Sequence, residues 1–310
     1  MGVARRGFLG GALFSSVAVS GLAMAGFPAW AATGFPDRKP SKLTVRQIHS
    51  GHSLTDTYVH GPWPGRLFLA TATRAPITWD NNPIAKSTIP GSPMHWRWSH
   101  SSGYPDAKEN IDEFELLVIT EGGPLSPDPE TFEVWTLQWV EKWVRHAWEK
   151  GNRGKGAEMM LYSFWVELDK PGGNGDDAYA GLPFRERLEV QAGLWESLQD
   201  RANSVRPEGM PLIYMIPGHR LVMQIYDDIA VGKVPGITGI DALFSDEIHF
   251  NEIGQYAVTA LVYAVIYQRN PKELPDRFVP EDKVTSEQAR YFKTVAWNVA
   301  TGYDRAGVPG

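Results

Sequence analysis

Two short segments, far apart in the chain, combine residue types suited to acyl transfer. The first is Ser50-Gly51-His52-Ser53-Leu54-Thr55-Asp56. A serine hydroxyl is a weak nucleophile until an adjacent base takes its proton. The second is Ser245-Asp246-Glu247-Ile248-His249-Phe250-Asn251. A histidine on a loop, three residues after an acid, can form one local unit. The carboxylate holds one ring nitrogen and the other is left to accept a proton. Each segment also has a plain structural explanation. Ser53 can cap a helix with Asp56 completing a capping box, and His249 can be incidental to a helix start. Taken singly, neither segment decides.

The elements around them must bring the two together. Short apolar runs predict strands at 45–49, 67–70, 114–120, 159–165 and 212–216. The third is a continuous apolar run of the kind buried on both faces of a sheet. Helices are predicted at 129–150, opened by Asp128 and Pro129 and ended by Gly151, and at 182–204, 219–230, 252–268 and 286–300. Alternating strands and helices predict one α/β domain over 32–310: a three-layer α/β/α sandwich around a central, mostly parallel sheet. In such a sheet the site lies at the carboxyl ends of the strands, where Ser53 follows the first. The stretch 58–110 is rich in Pro, Trp and Ser and reads as an ordered irregular region.

The chain has 310 residues, 43% hydrophobic and 21% charged. That supplies a full core and excludes disorder, collagen and coiled coil as overall classes. Lys and Arg number 30 against 36 Asp and Glu, a net charge of −6, which argues against a general nucleic-acid-binding surface. Without cysteine there is no disulfide, thiolate nucleophile or cysteine-ligated metal. Residues 1–31 read as a signal peptide: Arg5-Arg6 before Gly7-Phe8-Leu9, an apolar run over 13–24, and Ala29-Trp30-Ala31 as a cleavage site. The paired arginines resemble the twin-arginine export signal. That resemblance implies the twin-arginine export machinery as a partner of the leader. It implies a periplasmic or secreted mature protein from Ala32, with no stable membrane span after cleavage.

The two chemical segments together resemble a known family. Gly51-His52-Ser53-Leu54 resembles the Gly-Asp-Ser-Leu block of the SGNH (GDSL-like) hydrolases. Asp246-Glu247-Ile248-His249 resembles that family's terminal Asp-x-x-His block, followed by a similar closing helix. The resemblance spans most of 43–270. It implies Ser53 as nucleophile, His249 as general base and Asp246 as the residue that orients it. The Gly-x-Ser-x-Gly elbow of the common α/β-hydrolases is absent.

Three departures from the family pattern stand out. His52 replaces the aspartate before the nucleophile. Gly103, in His100-Ser101-Ser102-Gly103, is the best match for the glycine that joins Ser53 in the oxyanion hole. The third block's Asn is missing, and Glu121, Gly122 and Gly123 stand in its place. A protonated Glu121 could donate to the oxyanion where an ionised one would repel it. Trp63, Trp79, Trp96 and Trp98 are expected on loops lining a substrate cleft. Trp135, Trp139 and Trp143 are expected as one helix face packed on the sheet. His49, His52, His95 and His100 read as structural rather than as metal ligands, Gly172 to Asp177 reads as a solvent loop, and no cofactor is expected. The implied function is an exported serine esterase cleaving a short acyl ester, acetyl foremost, of a small molecule or a glycan. The alternatives are a periplasmic O-acyltransferase on the same triad and a non-catalytic carbohydrate-binding protein on a decayed hydrolase frame.

Overall fold

The structure, a computed structural model, describes residues 34–59, 83–170, 179–277 and 283–310. The leader, the strand expected at 67–70, Trp63, Trp79 and the 172–177 loop lie outside the described residues.

Among the described residues, five parallel strands form one sheet in the order β2-β1-β3-β4-β5. They are β1 (Gln47–Gly51), β2 (Ile84–Thr88), β3 (Leu116–Ile119), β4 (Glu158–Ser163) and β5 (Tyr214–Pro217). Every residue of β1, β3 and β5 is buried, as expected for strands covered on both faces. β2 is different. Its sequence IAKST is only partly buried, although β5 at the opposite edge is buried throughout.

The helices are α1 (Ser53–Val59), α2 (Met94–Ser99), α3 (Pro129–Phe132), α4 (Gln138–Gly154), α5 (Phe184–Ser204), α6 (Gly218–Ala230), α7 (Glu252–Tyr267) and α8 (Ser286–Gly302). α1, α7 and α8 pack together, α4 packs with α2 and α5, and the sheet lies between. The expected α/β architecture holds. Asp128 caps α3 by accepting from Thr131 N–H at 2.7 Å, with Pro129 in the first turn. A π-turn at Glu133–Leu137 joins α3 to α4. The helical backbone of α4 gives way at Gly151, where an added Cβ would lie 2.4 Å from Ala157 Cβ. α7 is buried almost throughout, as its apolar sequence predicts.

Two elements differ from expectation. The segment 84–99 supplies β2 and α2 rather than loop. β2 is covered only in part and so lacks the apolar run that betrays a strand buried on both faces. α2 is barely more than one turn, too short to show a period.

The strand order places the topological switch between β1 and β3, which run from the centre of the sheet to opposite sides. Crevices at such points are where α/β sheets bind ligands. β1 turns into α1 there through Gly51, where a Cβ would come 1.9 Å from Thr55 Oγ1 and 3.1 Å from Thr120 Cγ2. Gly51→Ala is therefore expected to destabilise the protein by about 1–3 kcal/mol. The check is the urea midpoint; an unchanged midpoint would contradict the close approach.

Candidate active site

Ser53 opens α1 at the carboxyl end of β1, and His249 lies two residues before the Asn251 cap of α7. Their side chains meet although 196 residues separate them: Ser53 Oγ and His249 Nε2 are 2.8 Å apart. The other ring nitrogen, Nδ1, is 2.8 Å from Asp246 Oδ2. An ionised carboxylate only accepts, so Nδ1 carries the proton and Nε2 is free to accept from the serine O–H. Asp246 Oδ1 accepts from Ile248 N–H at 2.9 Å and His249 N–H at 2.7 Å. Partial burial alone would raise the Asp246 carboxyl, but these backbone bonds and the histidine ring outweigh it and bring the carboxyl down to about 2.

The loop carrying both residues is pinned on several sides. Asn251 accepts from Ile253 N–H at 2.9 Å and Gly254 N–H at 3.4 Å, and donates to Ala242 O and Phe244 O. Trp165 Nε1 donates to Ile248 O at 2.7 Å while its ring stacks on Phe250, centroids 3.8 Å apart. Leu168 N–H donates to Glu247 O.

His52 does not join the relay. Leu54 N–H donates to its Nδ1 at 3.3 Å, so the proton sits on Nε2 and is donated to Glu121 O at 2.9 Å. Burial first, then the charge of Arg97, hold the ring neutral, with its pKa lowered to about 4. His52 thus fastens the turn under Ser53 to the end of β3.

Glu121 is buried and does not offer its carboxyl to the cleft. Oε1 accepts from Met94 N–H and Gly122 N–H, both at 2.7 Å. Burial raises this carboxyl to about 7, although the Arg97 charge and the two N–H bonds pull it the other way. Arg97, itself fully buried, donates to Ser50 Oγ at 3.1 Å and to the carbonyls of Ser92 and Thr120. One guanidinium thereby ties the ends of β1 and β3 to the turn before α2.

The cleft at Ser53 has a volume of about 720 Å³, and Phe164, Trp165, Trp195, Leu54 and Ile248 make much of its wall. Gly122 lines it as expected, but its N–H is engaged by Glu121. Gly103 is exposed on the loop after α2 and is not part of the cleft. Gly123 and Gly91 also face it, Gly91 with φ +67 in the turn after β2. In the first turn of α1, Leu54 N–H goes to the His52 ring and Thr55 and Asp56 N–H to His52 O. Neither Ser53 N–H nor Gly91 N–H has a protein acceptor among the described residues. The Pro90-Gly91 turn is the only sequence signal for Gly91.

The expected cleft tryptophans are also corrected. Trp96 projects from α2, 50% exposed, and Trp98 packs edge-on against Trp143 with centroids 5.3 Å apart; neither lines the cleft. Trp165 and Trp195, from the strand and helix behind Ser53, take that place. Trp143 is fully buried and Trp139 partly so, but Trp135 is 52% exposed, contrary to a wholly packed face.

Other polar clusters lack this chemistry. Ser163 Oγ lies 2.6 Å from His219 Nδ1, but both residues are fully buried. A second cavity, about 640 Å³, lies between α6 and α8, where Arg185 pairs with Asp227, and Lys233 and Tyr291 with Asp228. Among the described residues no group of three or more His, Asp or Glu side chains is gathered as metal donors, and no helix is long and apolar enough to cross a membrane.

Two predictions follow from the buried charges. His49 and His219 are held neutral by burial, with pKa lowered to about 3, alongside His52. Below about pH 6.5 the unfolded chain takes up these three protons and the folded chain does not, so stability falls as pH falls, by about 1.4 kcal/mol per pH unit for each histidine. Glu121 runs the other way. Folded, it is protonated below about 7, and unfolded only near its ordinary value of 4.5, so it offsets about one histidine over that window. Urea midpoints should drop steadily between pH 6.5 and 4.5, and a flat profile would refute neutral burial. Arg97→Met should cost about 3–5 kcal/mol by stranding its acceptors, and Arg97→Lys should not restore the loss, as read by Tm.

Compared with known proteins, the chain matches no family model and no curated protein.

Proposed function

We propose that the protein is a serine hydrolase that cleaves a short acyl ester through an acyl-enzyme. The observation that carries this reading is the relay Ser53–His249–Asp246, with both hydrogen bonds at 2.8 Å. Ser53 Oγ attacks the carbonyl carbon as His249 Nε2 takes its proton, and Asp246 stabilises the imidazolium without taking a proton itself. The N–H groups of Ser53 and Gly91 receive the developing oxyanion, in place of the missing asparagine. His249 then returns the proton to the leaving alcohol, and water attacks the acyl-serine by the same route. The aromatic wall of Phe164, Trp165 and Trp195 receives the acyl group.

The resemblance of the two blocks to those of the SGNH hydrolases supports the same assignment. Hydrolysis is favoured over transfer because the side chains of His249 and Asp246 are 41% and 45% exposed, so water reaches the relay. The leader reading adds twin-arginine export to the periplasm or beyond.

The deciding test is a fluorophosphonate probe applied to protein from Ala32 onward. The peptide containing Ser53 should gain the probe mass, and Ser53→Ala and His249→Ala should both abolish labelling. Labelling that persists in Ser53→Ala would overturn the assignment. Asp246→Ala should lower kcat on a short-chain ester by about 100–10,000-fold. Gly91 and Gly103 form a matched pair, both with positive φ and with open space where a Cβ would go. Backbone strain is therefore common to both alanine variants. Gly91→Ala should cut kcat at least about tenfold by displacing an oxyanion donor, and Gly103→Ala should leave it unchanged. Equal effects would remove Gly91 from the oxyanion hole.

A further inference from the structure

The catalytic cleft does not end at its own wall. A shallow groove of about 300 Å³ shares Gly91, Gly122, Gly123 and Pro124 with it and runs on to Thr131, Trp135 and Thr136. Its far end is an indole ring, 52% exposed, on a surface where apolar groups this large are ordinarily covered. The ring is not loose. His95 packs against it with centroids 4.9 Å apart and in turn approaches Trp139 at 5.9 Å.

The backbone beneath Trp135 is also unusual. Trp135 sits within the π-turn Glu133–Leu137, where Gln138 N–H reaches back to Glu133 O. Such turns insert one residue into a helix at a cost in backbone geometry and occur often at functional sites. Here the insertion separates Trp135 from the buried stripe that Trp143 occupies, although the three tryptophans are spaced four apart. Hydroxyls border the groove at Ser126, Thr131 and Thr136, and Pro93, Glu121 and Leu125 complete its lining. An apolar platform with a hydroxyl-rich border suits a ligand that is apolar on one face and hydroxylated around its edge. A pyranose ring has that form. A fatty acyl chain has no use for the polar border and is better served by the aromatic wall behind Ser53.

We propose that this groove is the subsite for the alcohol part of the substrate, and that it takes a sugar ring stacked on Trp135. The substrate class is then an acylated oligosaccharide, with its ester at Ser53 and a neighbouring residue of the glycan at Trp135. This rests on the serine hydrolase reading above for the chemistry, but the subsite itself can be tested without it.

The experiment compares wild type, Trp135→Ala and Trp96→Ala on 4-nitrophenyl acetate and on acetylated xylo-, gluco- and chito-oligosaccharides. Trp96 is a control, equally exposed but outside the groove. Trp135→Ala should keep kcat/KM on 4-nitrophenyl acetate within about twofold. It should lose about tenfold or more on at least one acetylated oligosaccharide, chiefly through KM. Trp96→Ala should match wild type on both. Equal losses on both substrates, or no loss on either, would overturn the subsite, as would hydrolysis of 4-nitrophenyl acetate with none of any acetylated glycan. Vesicle sedimentation abolished by Trp135→Ala, with oligosaccharide hydrolysis intact, would make the ring a membrane contact instead. If no ester is cleaved by wild type, the hydrolase reading fails on its own. Tryptophan quenching by unacetylated oligosaccharides then decides the subsite: saturable quenching lost in Trp135→Ala supports it, and no quenching overturns it.

Discussion

A guanidinium sealed from water sits beneath Ser53, and the geometry around it depends on that charge. Arg97 carries a full charge in a place where it can be kept only if its donors are used. They reach Ser50 at the end of β1, Thr120 at the end of β3 and Ser92 in the turn after β2. These are the backbone segments from which Ser53, Gly122 and Gly91 emerge. Glu121 extends the same network to the start of α2, and through its carbonyl to His52. The strand ends are therefore fixed relative to one another by a polar centre rather than by apolar packing, which lacks directionality. Directional bonds are what a reaction needs, since a misplacement of about 1 Å can cost about a hundredfold.

The loop that carries His249 and Asp246 is built on a different plan. Asp246 and His249 lie on one short loop, and the carboxylate is oriented by backbone N–H groups of that loop before it touches the ring. Little burial is required of it. An exposed ion pair is worth little by its charge alone. Here the loop backbone fixes the partners' orientation in advance, and Trp165 and the Asn251 cap hold the loop against the sheet and α7.

The legible parts of the chain were those whose signals are local. β1, β3, β4 and β5 showed as apolar runs because both faces are covered, and α7 showed as a buried helix for the same reason. The relay was legible because Asp246 and His249 form their unit within four residues and Ser53 follows a strand end. β2 was not, since Ile-Ala-Lys-Ser-Thr is covered only in part and carries no apolar run. Gly103 is matched from His100-Ser101-Ser102-Gly103 alone, whereas the turn that reaches the cleft is Pro90-Gly91, which follows β2. Glu121 was located correctly, but nothing in its neighbours tells that its carboxyl turns inward to Met94 N–H. Trp135 reads as part of a packed stripe because a π-turn leaves no mark in the spacing of residues.

That turn has a consequence for how this surface can change. A π-turn is in effect a single-residue insertion preserved within a helix. Losing one residue from 133–137 would let the hydrogen-bond ladder close with ordinary spacing, and would rotate what precedes it by about 100°. The segment would gain regularity, and the indole would leave the groove. Helix order and the outward ring are thus alternatives, one codon apart. The shape of this surface would then change through the length of a helix rather than through the residues around Ser53.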